Sequence, residues 1–196
     1  MKNLVVFASG SGTNFQAVID AIKSGYLNAR ITGLIAGKSG IEAAERAHNN
    51  NIPVKTDTPR DKTGHLLDIL DKWAPDLIIL AGYLQKIPPE VIEQYSGQII
   101  NIHPSLLPKY GGKGCYGKRV HKAVIQNNDN VSGCSVHFVT DEYDEGPVID
   151  QIQVTVTKED TADTLAAKVL EKEHILLPRV IKQLINKENE SKNQLS

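Results

Sequence analysis

No stretch of this sequence approaches the roughly 20 consecutive apolar residues that a membrane-spanning helix requires. The opening MKNLVVFASGSG has an apolar run, but the run is short and breaks into Ser-Gly. It therefore reads as a first β-strand and not as a secretion signal. Neither charge dominates: 22 Lys and Arg face 23 Asp and Glu, a formal net charge of -1. That balance offers no broad basic field for nucleic acid or anionic lipid. Cysteine is scarce, with only Cys115 and Cys134, and they form neither a CxxC pair nor a metal-ligand spacing. Free thiols in a reducing cytoplasm are the expectation. HExxH is missing, as is the full GxxxxGK[ST] of a Walker loop, so no metal is expected.

What is present suffices for one domain with its own core: 196 residues, 40% of them hydrophobic. Short apolar runs alternate with amphipathic ones. Strands are expected at 4–8, 31–37, 52–56, 77–82 and 98–103, with helices at 14–25, 42–50, 62–73 and 88–95 between them. LIILAG (77–82) is the most apolar strand and should be central. Such alternation implies right-handed βαβ units and a mostly parallel, Rossmann-like α/β sheet in three layers. After Pro104 the rhythm changes. A helix near 119–127 precedes two runs, 132–140 and 146–156, joined by a short loop, which predicts a hairpin and an antiparallel strand near the C-terminus. A long helix over 161–185 contains Pro178, expected to break or kink it. Residues 187–196 are polar and expected to fray.

Four stretches could carry chemistry. ASGSGTN (8–14) occupies the first strand-to-helix turn, where backbone N–H groups can meet an anion. The third glycine of a dinucleotide fingerprint is replaced by Phe15, and no acidic residue ends the second strand. A phosphate on a smaller ligand is therefore favoured over the plainer reading of Thr13 and Asn14 as helix caps. In NIHPSLLPKY (101–110), Asn101 and His103 lie two residues apart on a strand and share a face. An amide and an imidazole aimed together can cradle a developing oxyanion. HFVTDEYDEGP (137–147) crowds Asp141, Glu142 and Asp144 into a turn. The plain reading is a solvated acidic turn; the sharper one is that a carboxylate turns inward against His103, raises its pKa and keeps it cationic, and the spacing does not choose which. The loop KYGGKGCYGKR carries Lys109, Lys113, Lys118 and Arg119, whose charges could face a phosphate or simply solvent.

Taken together, SGSGTN, LAGYLQKI, NIHPSLLPKY and SVHFVTDEYDEGPVI closely resemble the phosphoribosylglycinamide formyltransferases, a branch of the folate-dependent formyltransferase family. The resemblance runs from Leu4 to about Leu184. It implies a formyltransferase fold and a reaction in which a formyl group passes from 10-formyltetrahydrofolate to the primary amine of phosphoribosylglycinamide, a step of purine synthesis. It implies that Asn101 and His103 hold the oxyanion, that His103 is the general acid, and that Asp144 is its partner carboxylate. Gly12, Thr13 and Asn14 match the phosphate grip, and Glu173 a contact to the ribose hydroxyls. Leu84, Gln85, Lys86 and Ile87, with Thr140, Asp141, Glu142, Tyr143 and Asp144, match the walls of the folate pocket. Asn101 also faces the folate, and Arg60 matches an arginine near it. The chain departs from the family pattern at Gly111-Gly112, where a Pro-Gly is frequent, and at Gln85-Lys86, where some members have Arg-Ile.

These implications define one formyltransferase domain over 1–186, its N-terminal half binding phosphate and its C-terminal half supplying most of the folate and catalytic site. Expected partners are small molecules, without nucleic acid or membrane, acting as a monomer or homodimer in the cytoplasm. Two relatives of other activity carry extra domains that this reading does not include: formyltetrahydrofolate deformylases at the N-terminus, methionyl-tRNA formyltransferases at the C-terminus. A non-catalytic nucleotide-binding module is the alternative from a different class.

Overall fold

The computed structural model of the chain describes residues 1–56 and 63–193. Among them are seven strands, β1 (Lys2–Ala8), β2 (Ala29–Ala36), β3 (Val54–Thr56), β4 (Leu77–Leu80), β5 (Ile99–His103), β6 (Val131–Phe138) and β7 (Val148–Thr155). The helices are α1 (Thr13–Lys23), α2 (Glu42–Asn49), α3 (Thr63–Trp73), α4 (Pro89–Gln94), α5 (Lys118–Gln126) and α6 (Ala162–Asn193). The strands form one sheet in the order β3-β2-β1-β4-β5-β6-β7. β4 is central, as its unbroken apolar run requires: all four of its residues are buried from both faces. β1 through β5 pair in parallel. β6 runs antiparallel to both β5 and β7 and is the one reversed strand among the described residues.

Alternation along β1 sorts the core into two layers. Leu4, Val6 and Ala8 face α1, α2, α5 and α6, meeting Phe15, Val18, Ala43, Val124, Leu165 and Leu177. Val5 and Phe7 face the opposite side, where Leu66 and Leu70 of α3 and Val91 of α4 close the second core. A fully buried side chain of this size contributes about 1.5 to 3 kcal/mol, so both helical layers are pinned by their apolar faces. Trp73 packs where Gly33 leaves space: a Cβ there would lie 2.4 Å from the indole ring. β1 and β2 slip register at the same point, between Leu4 and Val5.

α6 continues through Pro178 and is not broken there. One ladder hydrogen bond is lost at a proline, but Leu176, Leu177, Val180 and Ile181 around it are fully buried and hold the helix to the sheet. The helix is assigned through Asn193, so the segment expected to fray begins inside it and ends outside the described residues.

The strand order reverses between β1 and β4, which opens a crevice at their carboxyl ends. The turns there are laced together: Ser9 N–H donates to Gly82 O (3.1 Å), and Gly37 N–H to Ala8 O (2.8 Å). In addition, Leu84 N–H donates to Ser9 Oγ (3.0 Å).

Candidate active site

β5 delivers Asn101 and His103 to the crevice on one face, and β6 brings a second histidine to them. The antiparallel register sets His137 opposite Asn101 and Ser135 opposite His103. The β6–β7 turn then returns Asp144, in a left-handed conformation with φ 59°, over the same spot. Asp144 Oδ1 lies 3.5 Å from His103 Nδ1 and 3.6 Å from His137 Nε2. Asn101 Nδ2 donates to the same oxygen at 3.5 Å, and Gly112 N–H donates to Oδ2 at 2.9 Å. Of the three acids in the turn, Asp144 is the one that meets the histidines.

The ring nitrogens are assigned by their partners. His103 Nε2 donates to the Tyr110 carbonyl at 2.9 Å, which leaves Nδ1 facing Asp144. His137 Nδ1 donates to the Phe138 carbonyl at 2.8 Å, so its Nε2 accepts from Asn101 Nδ2 at 3.0 Å.

The expectation that His103 is held cationic is not met. Burial is the largest influence and depresses its pKa; Asp144 and the Tyr110 carbonyl pull upward, His137 downward, and the net direction is down. Only 4% of His103 is exposed, so the charged ring loses more hydration than one carboxylate at 3.5 Å returns. The imidazole is neutral at neutral pH. A proton taken up at Nδ1 would sit directly against Asp144. For Asp144 itself burial also acts first and pushes upward, but His137, the charge of His103 and the Gly112 N–H outweigh it, and the carboxyl lies below its ordinary range.

A pocket opens beside this cluster. Gln85, Lys86, Ile87, Asn101 and residues 140–144 line it, together with His137 and the apolar Tyr83, Ile92 and Val139. Leu84 does not line it; its side chain is 58% exposed, and only its N–H is used, on Ser9. Gln85 turns away to donate to the Gly37 carbonyl at 2.6 Å, whereas Lys86 stands 5.6 Å over the Tyr143 ring at the rim. Arg60 lies outside the described residues.

The second group lies at the start of α1. Gly12, with φ 70°, is the residue before the helix, and a Cβ there would lie 2.7 Å from that of Ala43. No side chain caps this terminus, so the reading of Thr13 and Asn14 as caps fails. Asn14 instead reaches across to α6, where its Nδ2 donates to Glu173 Oε2 at 2.6 Å. Asn14 Oδ1 is buried without a partner. Burial pushes the Glu173 carboxyl up to about 7, and the Asn14 bond pulls the other way. Arg46 of α2 braces the turn, its Nε donating to Ser11 O at 2.8 Å. Three of the four cations named in this segment are engaged elsewhere: Lys109 with Asp129, Lys118 with Asp163, and Arg119 on the Tyr116 ring.

Two features were not singled out in the sequence: His137, and the bond between Asn14 and Glu173. For the first, alternation puts 135 and 137 on one face of a strand, but only the structure supplies the register that sets 137 opposite 101. The second joins residues 159 positions apart and had no signal in the sequence. Among the described residues no group of His, Cys, Asp and Glu is arranged to hold a metal, and no helix is long and apolar enough to cross a membrane.

Comparison with known proteins converges on one family. The family model described as formyl transferase matches residues 2–181. A chloroplastic phosphoribosylglycinamide formyltransferase from Vigna unguiculata is 45% identical over 189 residues, covering 93% of this chain and 61% of its own length. The phosphoribosylglycinamide formyltransferase of Escherichia coli K12 is 38% identical, covering 91% of this chain and 85% of its own. Among solved structures, that of phosphoribosylglycinamide formyltransferase from Bacillus halodurans superposes with a TM-score of 0.88 at 35% identity, covering 95% of this chain and 97% of its own. The chain thus spans less than two thirds of its plant relative.

Proposed function

This chain belongs to the formyl transferase family, and from that premise we propose that it transfers the formyl group of 10-formyltetrahydrofolate to the amine of phosphoribosylglycinamide. The products are formylglycinamide ribonucleotide and tetrahydrofolate, a step of purine synthesis, and the cytoplasm is the proposed location. One observation carries the reading: Asn101, His103 and Asp144 converge within 3.5 Å at the edge of a pocket that could take a pterin.

In this reading the substrate amine attacks the formyl carbon, and the carbonyl oxygen becomes an oxyanion beside Asn101 Nδ2. His103, neutral at rest, takes up the proton the amine loses. Asp144 stabilises the imidazolium so formed, which then donates the proton to the folate nitrogen as the carbon–nitrogen bond breaks. A donor aimed at a developing oxyanion in a dry site contributes about 3 to 4 kcal/mol, and holding both substrates in one cleft adds a proximity term. The folate binds along Gln85, Lys86, Ile87 and 140–144, largely through backbone groups. The phosphate binds at Gly12, Thr13 and Asn14, where α1 offers uncapped N–H groups. The ribose hydroxyls meet Glu173.

The test is tetrahydrofolate release from 10-formyltetrahydrofolate by the purified protein, with and without phosphoribosylglycinamide. Release that depends on the amine, with formylated product, is expected. Release without the amine would mean that water is the acceptor and the protein a deformylase. Folate binding without release in either tube would mean a binding module.

A further inference from the structure

Residues 105–112 supply the two backbone groups that hold the proposed acting pair. The Tyr110 carbonyl accepts from His103 Nε2, and the Gly112 N–H donates to Asp144 Oδ2, each at 2.9 Å. Neither residue belongs to a strand or helix, and both have positive φ, 58° and 92°. Backbone of this kind keeps its aim only if other groups fix it.

Two sets of side chains outside the cleft do so. On the β6–β7 side, the fully buried Ser135 Oγ donates to the Ser105 carbonyl (2.6 Å) and accepts from Leu107 N–H (3.0 Å). The Gln151 amide of β7 donates to that hydroxyl at 2.8 Å and to the Leu107 carbonyl at 3.1 Å, so both its N–H bonds are used on this one corner. On the α5 side, Asp129 accepts from the Tyr110 hydroxyl at 2.6 Å, and Asn127 Nδ2 donates to the same hydroxyl at 2.8 Å. Gln151 and Asp129 do not line the pocket beside His103.

We propose that Gln151 and Asp129 are positioning residues for the transfer reaction, anchoring residues 105–112 from opposite sides so that Tyr110 and Gly112 present their backbone groups to His103 and Asp144. The proposal rests on His103 and Asp144 being the acting pair. Bonds that merely satisfied buried backbone would affect stability alone. Bonds that aim the Tyr110 carbonyl must also affect the titration of His103, because that carbonyl favours the charged ring.

The experiment is an NMR titration of the His103 imidazole, assigned with His103→Gln, in the full chain and in Gln151→Leu, Asp129→Ala and Tyr110→Phe. The groups facing His103 from the packed elements are Asp144, His137 and His121 of α5, and all three are retained. Loss of an anchor is expected to lower the His103 midpoint by about half to one pH unit. It should lower kcat roughly tenfold through misplacement, with little change in either KM. Tyr110→Phe removes only the phenolic link, so it tests the Asp129 side should Asp129→Ala fail to fold. An unmoved His103 midpoint in folded Gln151→Leu and Tyr110→Phe overturns the proposal. A lowered midpoint with unchanged turnover upholds the anchors and counts instead against His103 in the proposed chemistry.

Discussion

Asp144 and Glu173 are both carboxylates withdrawn from water, yet burial decides the charge of only one of them. Asp144 sits in a turn between strands, where a backbone N–H, an amide and two imidazoles approach its two oxygens within 3.6 Å. Its pKa falls below the ordinary range despite burial. Glu173 faces α1 from α6, 7% exposed, with the amide of Asn14 donating to it, and its pKa rises to about 7. The difference is the number of polar groups that favour the anion, set against burial that is deeper at Glu173. One region is built to keep an anion beside a neutral histidine. The other holds an acid near half-protonation at neutral pH.

The largest effects should come from the anion-keeping side. Asp144→Asn preserves shape and removes the charge that stabilises a protonated His103, and His103→Ala removes the proton carrier. Each is expected to lower kcat by about a hundredfold to a thousandfold, with the KM for folate nearly unchanged. Steady-state kinetics decide it, and near-normal turnover in either variant would take that residue out of the mechanism. If Asp144→Asn were mild and Glu173→Gln severe, the roles assigned to the two carboxylates would have to be exchanged.

Much of this contrast was legible in the sequence, though not its electrostatics. Period-two geometry placed Asn101 and His103 on one face, and the unbroken LIIL run placed β4 at the centre of the sheet. The turn acids announced a carboxylate for His103, and the family resemblance named Asp144. What could not be read was how dry His103 is: it is 4% exposed, paired with Ser135 of β6 and bonded to the Tyr110 carbonyl. For that reason the sequence points to a raised His103 pKa, whereas burial lowers it. The place of His137 depends on the β5–β6 register, which the sequence does not state. Leu84 is matched to the folate wall by the resemblance alone, and the turn after β4 leaves it 58% exposed.

A middle-sized effect tests the other carboxylate through stability. Glu173 has its pKa raised on folding, from an ordinary 4.5 to about 7. The folded state therefore binds the proton more tightly than the unfolded one. Stability is greatest below the ordinary glutamate range, falls as pH rises toward about 7, and is constant above it. Glu173→Gln keeps an acceptor for Asn14 and cannot ionise, so it is expected to be more stable than the parent above pH 7, by on the order of 3 kcal/mol. Below the ordinary glutamate range it should be nearly equal to the parent. Denaturant melts across this window would show it, and parallel stability curves would mean that Glu173 is hydrated in solution. The same variant should raise the KM for phosphoribosylglycinamide, as should Thr13→Ala combined with Asn14→Ala, in each case more than the KM for folate. Equal effects on both substrates would count against assigning this corner to the phosphoribosyl group.

The smallest effect asks whether redundancy is what separates the two regions. His137→Asn deletes one of the groups that favour the Asp144 anion and leaves the Gly112 N–H, Asn101 and His103 in place. The Asp144 midpoint, read from its carboxyl carbon by NMR, should rise back toward the ordinary aspartate value by less than about one pH unit, the scale of one hydrogen bond. Asn14→Ala, by contrast, removes the bond that opposes burial at Glu173 and should raise that midpoint further above 7. A rise of Asp144 well past the ordinary value in His137→Asn would show that one histidine, and not a shared set of donors, keeps the anion. The two carboxylates would then differ in the identity of a single partner and not in their number.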